Sequence, residues 1–145
     1  MSFQDTIHEA QVSGDFQPLV DKIPYANYIG FEFQRFGDNV IFKLPRNIDN
    51  IGNPILPAIH GGVIGGFMEL SAAINLLMFM DTPLMPKIVD FSLDYLRAGR
   101  DQDTFAECQI WRQGSRVANV AINAWQTDRA NPIATARAHF LLAKK

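Results

Sequence analysis

The second half of the chain alternates apolar and polar residues in four segments that short turns separate. In residues 87–97, the apolar positions are Val89, Phe91, Leu93 and Tyr95. The three later segments carry these residues on their apolar faces: Ala106, Cys108 and Ile110; Ala118, Val120, Ile122 and Ala124; and Ala134, Ala136, Ala138, Phe140 and Leu142. Alternation with a period of two residues, repeated in segments joined by short turns, predicts an antiparallel sheet.

The first half of the chain predicts shorter elements. Its first two dozen residues read as helical pieces that a glycine and Pro18 interrupt. Residues 28–36 and 39–44 are rich in aromatic and β-branched residues, so they predict two strands that turn at Gly37-Asp38. Residues 45–59 contain three prolines and predict a loop.

An apolar segment beginning HGGVIGGFMEL at residue 60 predicts the one long helix, from about Gly61 to Phe79. Its expected core stripe contains Val63, Phe67, Leu70, Ile74 and Leu77. Because the inward faces of the last three predicted strands are rich in alanine, a bulky element can lie close against them. We therefore expect the helix to nest in the concave side of a curved sheet, which is an α+β arrangement.

The other side of this helix combines four glycines with one acid. Gly61, Gly62, Gly65 and Gly66 precede Glu69 by whole turns and share its face. Each glycine costs a helix interior roughly 0.8–1 kcal/mol relative to alanine, so the bare face must admit another backbone or a ligand. A face of small residues alone is typical of close helix packing, but a buried carboxylate without a partner is costly. The acid therefore favours a functional role for Glu69.

The start of the helix adds a site for negative charge. The amides of Gly61 and Gly62 have no intrahelical acceptor, and the helix dipole favours an anion there. Amides placed in this way can hold a developing oxyanion, and Glu69 two turns later completes a layout for attack on a carbonyl. His60 either acts directly or bonds the loop backbone. Asn53 is a candidate polar partner or a turn residue beside a proline.

Composition narrows the class of protein. The 145 residues have the length of one domain, spanning 1–145. Thirteen basic and fifteen acidic residues give a net charge of −2, which argues against a nucleic-acid partner. The N-terminus lacks the features of a signal peptide, and no apolar run is long enough to cross a membrane. We therefore expect a cytoplasmic protein that binds neither nucleic acid nor membrane.

The remaining reactive residue types predict no further site. Cys108 is the single cysteine, which fits a reducing compartment, and its inward position predicts inert core. His8 and His139 have no spaced partners that would suggest a metal site.

Several segments together resemble a known family. HGGVIGGFMELSA, DFSLDYLRAG and WRQGSRVANVAINAW, with YANYIGFEF upstream, resemble the hotdog-fold acyl-CoA thioesterases of the phenylacetyl-CoA and 4-hydroxybenzoyl-CoA type. The resemblance runs from about Pro24 to Leu142. It implies a long central helix wrapped by a curved antiparallel sheet of about five or six strands. It also implies a homodimer with active sites between subunits, often paired into a tetramer.

The resemblance implies a role for each candidate residue. Glu69 would be the general base or the nucleophile, and the Gly61 amide, with Gly62 beside it, would polarise the thioester carbonyl. Many members carry Asn or Gln six residues before the His, where this chain has Pro54, with Asn53 one place away. A further departure is Ala98, which replaces the proline of a Tyr-Leu-Arg-Pro motif.

Coenzyme A carries phosphates, so a cationic patch is expected near the site. The candidates are Arg97, Arg100, Arg112 and Arg116, since arginine can bind phosphate with two hydrogen bonds, although all four also suit a solvated surface. Coenzyme A would be part of the substrate, and no other cofactor is expected.

Two other functions remain open from the sequence. One is an acyl-CoA-binding protein without turnover, because the position of the expected Asn is occupied by proline. The other is a hotdog dehydratase that acts on acyl-carrier-protein thioesters. The segment GNPILPA resembles the proline-rich lead-in of that group, but residues 45–59 contain no histidine to serve as its base.

Overall fold

The structure is a computed structural model that describes residues 1–37 and 39–142, apart from the side chain of Arg112. Three short helices come first: α1 (Phe3–Ser13), α2 (Gln17–Val20) and α3 (Pro24–Ile29). A hairpin of β1 (Glu32–Phe36) and β2 (Asn39–Leu44) is followed by a short hairpin, β3 (Ile51–Asn53) and β4 (Ala58–Ile59). The long helix and the remaining strands are α4 (Gly61–Leu77), β5 (Lys87–Tyr95), β6 (Thr104–Gln113), β7 (Val117–Trp125) and β8 (Ala134–Leu141).

The amino-terminal helices correct two expectations. Pro18 lies in the first turn of α2, where its missing N–H costs nothing, so it begins a helix instead of breaking one. The strand expected over residues 28–36 starts only at Glu32, because its first residues complete α3. That helix has Pro24 in its first turn and ends at Gly30, whose φ of 84° is left-handed.

Six strands form one antiparallel sheet in the order β1-β2-β6-β7-β8-β5. The α4 helix packs on its concave side against β6, β7 and β8. The inward alanines that allow this close approach are fully buried: Ala106, Ala118, Ala124, Ala134 and Ala138. The expected α+β arrangement is thus confirmed, and it is the hotdog arrangement that the resemblance implies.

The buried side of α4 is rotated from the predicted stripe. Phe67, Ile74 and Leu77 are buried as expected, but Val63 and Leu70 are only partly buried. From Ser71 onwards every residue of the helix is buried, because the sheet wraps around it. A helix that is apolar on nearly all sides gives little information about which side faces the sheet.

Two further segments differ from their predicted form. The loop expected over residues 45–59 contains the β3–β4 hairpin. In β5, an irregularity between Ile88 and Asp90 turns Val89 outward, so that it is 57% exposed. A bulge shifts the alternation by one residue, which periodicity alone does not reveal. The β5 strand lies at the edge of the sheet, with β8 as its neighbour.

Candidate active site

The first turn of α4 leaves one backbone amide free. His60 is the N-cap residue, and its Nδ1 accepts a hydrogen bond from the Gly62 N–H at 2.9 Å. The carbonyl of His60 accepts from the amides of Val63 and Ile64. The Gly61 N–H has no acceptor within residues 1–37 and 39–142. Of the two amides predicted from the sequence, Gly61 is therefore the available donor, and Gly62 already has an acceptor.

The peptide that joins Gly61 to Gly62 is held from both sides. The Tyr95 hydroxyl donates to the Gly61 carbonyl at 2.7 Å, while His60 accepts from the Gly62 amide. An acceptor at Nδ1 places the proton of the neutral imidazole on Nε2. This clamp fixes the start of the helix, so the free amide of Gly61 has a defined direction.

Two residues that sequence reasoning missed hold His60 in place. Gly52 in β3 approaches it so closely that an added Cβ would lie 2.8 Å from the Cα of His60. The backbone carbonyl of Asn50 accepts from the His60 N–H at 2.9 Å. The Asn50 side chain, 3% exposed, donates to the Ile29 carbonyl at the end of α3 at 2.9 Å. A glycine between two extended residues was the available signal for Gly52, whereas Asn50 gave none.

Side chains of the same chain fill much of the bare glycine face. At Gly66, an added Cβ would lie 2.7 Å from the ring of Tyr25 in α3. At Gly61 and Gly65 it would lie 3.1 Å and 4.0 Å from the Tyr95 hydroxyl. The expectation that this face admits only another backbone or a ligand is corrected, since two tyrosines occupy part of it.

The space that remains is a groove of about 260 Å³ beside the partly buried Glu69. Its walls are Tyr25, Gly66, Leu70, Ala73, Met85, Pro86, Ile88 and Phe140. The carboxylate has no hydrogen-bond or ion-pair partner in the part of the chain that the structure describes. An acid in an apolar groove, without a protein partner, is available to a ligand or to water.

The free amide and the acid lie far apart within one chain. Eight residues separate Gly61 from Glu69 along α4, which is about 12 Å at 1.5 Å per residue. A glutamate side chain that leans back by about one turn still leaves roughly 6–7 Å. The N–H groups of the first turn point away from the helix, so a carbonyl oxygen bound by Gly61 lies about 3 Å further out. Its carbon, about 1.2 Å from that oxygen, is then still roughly 8 Å from the carboxylate. Direct attack needs about 3–3.5 Å, and attack through one water needs about 6 Å. One helix therefore cannot present both groups to the same carbonyl.

The side chain of Asn53 closes the turn of the β3–β4 hairpin. Its Oδ1 accepts a hydrogen bond from the Ile55 N–H at 3.0 Å, which is an Asx turn around Pro54. The structure thus places Asn53 in the turn role, which was one of its two interpretations.

Two of the candidate arginines lie at the amino-terminal end of α4. Arg97 and Arg100 follow the end of β5, and their backbone amides donate to the Ile133 carbonyl and to the Gln126 side chain. Both side chains are exposed. Since the last residue of β5 contacts Gly61, these two guanidinium groups are at the same end of the sheet as the free amide.

Neither of the other two candidate arginines is placed by the structure at this end of the sheet. Arg116 lies in the turn between β6 and β7, at the opposite end of the sheet. The nine residues of β7 place the two ends about 30 Å apart. The side chain of Arg112 lies outside the described residues. Within one chain, Arg116 therefore cannot bind the same phosphate group as Arg97 and Arg100.

The single cysteine lies away from the groove beside Glu69. Cys108 lies on the inward face of β6, and burial raises the pKa of its thiol, so it stays protonated and unreactive. The described residues contain no group of three or more His, Cys, Asp or Glu side chains placed to bind one metal ion. In the same part of the chain, no helix is long and apolar enough to cross a membrane.

The cap formed by His60 has a measurable effect on stability. We expect His60→Ala to lower the free energy of unfolding by about 0.5–2 kcal/mol, as loss of a side-chain N-cap does elsewhere. His60→Asn should lower the free energy of unfolding by less, because the amide oxygen of asparagine can accept the same hydrogen bond from the Gly62 N–H. Urea unfolding of the three proteins measures both differences. Equal stability of the Ala and Asn variants would show that the hydrogen bond to Gly62 contributes nothing.

Comparison with known proteins identifies the family of the chain. A sequence profile described as "Thioesterase superfamily" matches residues 56–133, more than half of the chain. No protein of curated function matches the sequence. A protein of Chromobacterium violaceum of known structure is 44% identical, with 97% of this chain and 98% of that chain covered and a TM-score of 0.79.

Two more distant structures share the fold. A thioesterase of Haemophilus influenzae is 16% identical. The match covers 88% of this chain and 87% of that chain, with a TM-score of 0.74. A protein of Bacillus halodurans, crystallised with CoA, is 16% identical. The match covers 99% of this chain and 93% of that chain, with a TM-score of 0.75. Since the profile covers more than half of the chain, including the long helix and three of the six strands of the sheet, the chain belongs to the thioesterase superfamily.

Proposed function

We propose that the protein hydrolyses an acyl-CoA thioester to a carboxylate and free CoA, with Glu69 as general base or nucleophile. The observation that carries the proposal is the carboxylate of Glu69, which lies in an apolar groove and has no partner among the residues that the structure describes. Membership of the thioesterase superfamily supports thioester hydrolysis in general. The nature of the acyl group and the choice of CoA as the carrier go beyond what family membership shows, and both are part of the proposal.

The chemistry needs one base and one oxyanion donor. Glu69 either takes a proton from the water that attacks the thioester carbon, or attacks that carbon itself to form an anhydride that water then opens. In both routes the carbonyl oxygen becomes negative, and the Gly61 N–H donates a hydrogen bond to it. The C–S bond breaks as this tetrahedral intermediate collapses, so the thiolate of CoA leaves before water opens any anhydride. The thiolate takes the proton held by Glu69 in the general-base route, or a proton from water in the nucleophilic route.

We propose that two copies of the chain complete each site. Gly61 and Glu69 of one helix are too far apart for one carbonyl, so the acid of one copy must meet the amide of another. The edge strand β5 supports this arrangement, since it carries the exposed Val89 and its free side can pair with a second β5. A two-fold axis there would set the two α4 helices side by side and antiparallel. Further pairing into a tetramer is implied by the resemblance.

For the phosphates of CoA we propose Arg97 and Arg100, which share the end of the sheet with Gly61. The presence of CoA in the structure of the Bacillus halodurans protein supports CoA as the carrier. Nothing beyond the CoA of the substrate is needed as a cofactor in this proposal. The single cysteine supports a cytoplasmic location.

A binding protein without turnover is the second candidate. It is favoured by one observation: the position six residues before His60 is Pro54, which has no amide side chain, and the neighbouring Asn53 uses its Oδ1 to accept from the Ile55 N–H. The dehydratase has no such support, because His60 caps α4 and residues 45–59 contain no histidine.

The release of thiol from a panel of acyl-CoAs tests the proposal. The panel contains short, medium and long chains and one aryl acyl group, with the matching acyl-carrier-protein thioesters alongside. We expect turnover of medium-chain or aryl acyl-CoA, because the groove beside Glu69 is apolar and small. Tight binding without turnover of any substrate would instead establish the binding protein.

A further inference from the structure

Tyr25 covers one end of the groove beside Glu69. Its ring occupies the space that a side chain at position 66 would fill, with ring atoms 2.7–3.1 Å from an added Cβ. Gly66 is one turn before Glu69, and helical side chains lean towards the N-terminus. The phenol ring and the carboxylate are therefore neighbours along one face of α4, and both line the groove.

The position of Tyr25 is set by a well-anchored helix. Ala26 and Ile29 are fully buried, so the opposite side of α3 faces outward. The Asn50 side chain bonds the Ile29 carbonyl. Tyr25 is 43% exposed and rests on α4, whereas Tyr28, on the same side of α3, is 72% exposed and does not line the groove. Tyr28 is therefore a natural control for Tyr25.

The remaining walls of the groove are apolar. They are Leu70, Ala73, Met85, Pro86, Ile88 and Phe140. A volume of about 260 Å³ equals about nine waters at ~30 Å³ each. This space holds an acyl group of about nine non-hydrogen atoms, which is one aryl ring or a medium chain, unless the end at Gly66 opens.

We propose that Tyr25 determines the acyl specificity of the site by closing the groove over Gly66. The inference rests on the proposed function, because it assigns this groove to the acyl group. With the ring in place, the groove accepts a medium-chain or single-ring acyl group. Without the ring, the bare backbone at Gly66 leaves an open channel for longer chains.

The test compares wild type with Tyr25→Ala, Tyr25→Phe and Tyr28→Ala on hexanoyl-, decanoyl- and palmitoyl-CoA. We expect Tyr25→Ala to raise the ratio of kcat/KM for palmitoyl-CoA over hexanoyl-CoA by about 10-fold or more, since one or two methylenes in an apolar pocket are worth that much. Tyr25→Phe keeps the ring and should keep the ratio, as should Tyr28→Ala. An unchanged ratio in Tyr25→Ala would overturn the proposal.

A binding measurement separates this proposal from the proposed function. If wild type hydrolyses no acyl-CoA, the hydrolysis proposal fails, but calorimetric dissociation constants for the same three acyl-CoAs still test Tyr25. We then expect Tyr25→Ala to lower the dissociation constant of palmitoyl-CoA relative to that of hexanoyl-CoA. If the ratio of the two constants is the same in Tyr25→Ala as in wild type, the proposed role of the ring is rejected.

The contact itself can be tested without any ligand. Alanine is favoured over glycine inside a helix, but the Cβ of Gly66→Ala would meet the Tyr25 ring in wild type. The substitution should therefore raise the midpoint of thermal unfolding by less in wild type than in the Tyr25→Ala protein, where the ring is absent. Equal effects in the two backgrounds would show that the ring does not close the groove.

Discussion

Replacing Glu69 with glutamine should lower kcat for acyl-CoA hydrolysis by about 10²–10⁴-fold, which is the usual contribution of a general base. Glutamine has nearly the same shape, but it neither accepts a proton at neutral pH nor attacks a thioester. Because the carboxylate has no partner among the described residues, the substitution breaks no ion pair or hydrogen bond there. Thiol release under saturating substrate measures the loss.

The matched control is Glu9→Gln, which makes the same change at an exposed position of α1 and should leave kcat unchanged. The thermal midpoint of Glu69→Gln should equal or exceed that of wild type, since a partly buried charge has been removed. A Glu69→Gln protein with wild-type turnover would place the base elsewhere and refute the assignment of the groove. Loss of activity together with loss of the folded state would not count as support.

The sheet and the helix were predictable because their signals are local. Each of β5 to β8 alternates in its own sequence, and α4 has an apolar run bounded by glycines and prolines. The predictions that were wrong concern how an element packs against or pairs with its neighbours. The side of α4 that faces the sheet is set by the wrap of six strands, and the outward turn of Val89 is set by pairing with β8. Neither can be derived from one segment.

The candidate site shows the same division. Glu69 and the glycine face followed from helical spacing, which fixes which residues of one helix are neighbours. Tyr25 is brought to Gly66 by the packing of α3 on α4, and nothing in the sequence near Gly66 indicates it. The choice between the Gly61 and Gly62 amides depends on the direction of the His60 ring, which is a contact and not a pattern.

A second prediction concerns the amide of Gly61. Gly61→Pro should lower kcat by about 10²–10³-fold, the usual cost of losing one oxyanion donor. Proline is favoured at the first position of a helix, and His60 already has an extended conformation (φ −58°, ψ 130°) that a following proline requires. The substitution thus removes the N–H with little cost to α4. Gly61→Ala is the control, since it keeps the N–H and adds a Cβ 3.1 Å from the Tyr95 hydroxyl, so we expect a much smaller loss of kcat than in Gly61→Pro.

The two inactive variants should restore each other when they are combined in one dimer. A dimer of Glu69→Gln and Gly61→Pro, purified through a different tag on each chain, has one site with an intact acid and an intact amide. Its second site has neither, so we expect about half of the wild-type activity per dimer if a two-fold axis relates the sites. A site built within one chain would give a mixed dimer as inactive as its parents. The outcome decides whether the distance of about 12 Å along α4 is bridged by a second copy of the chain.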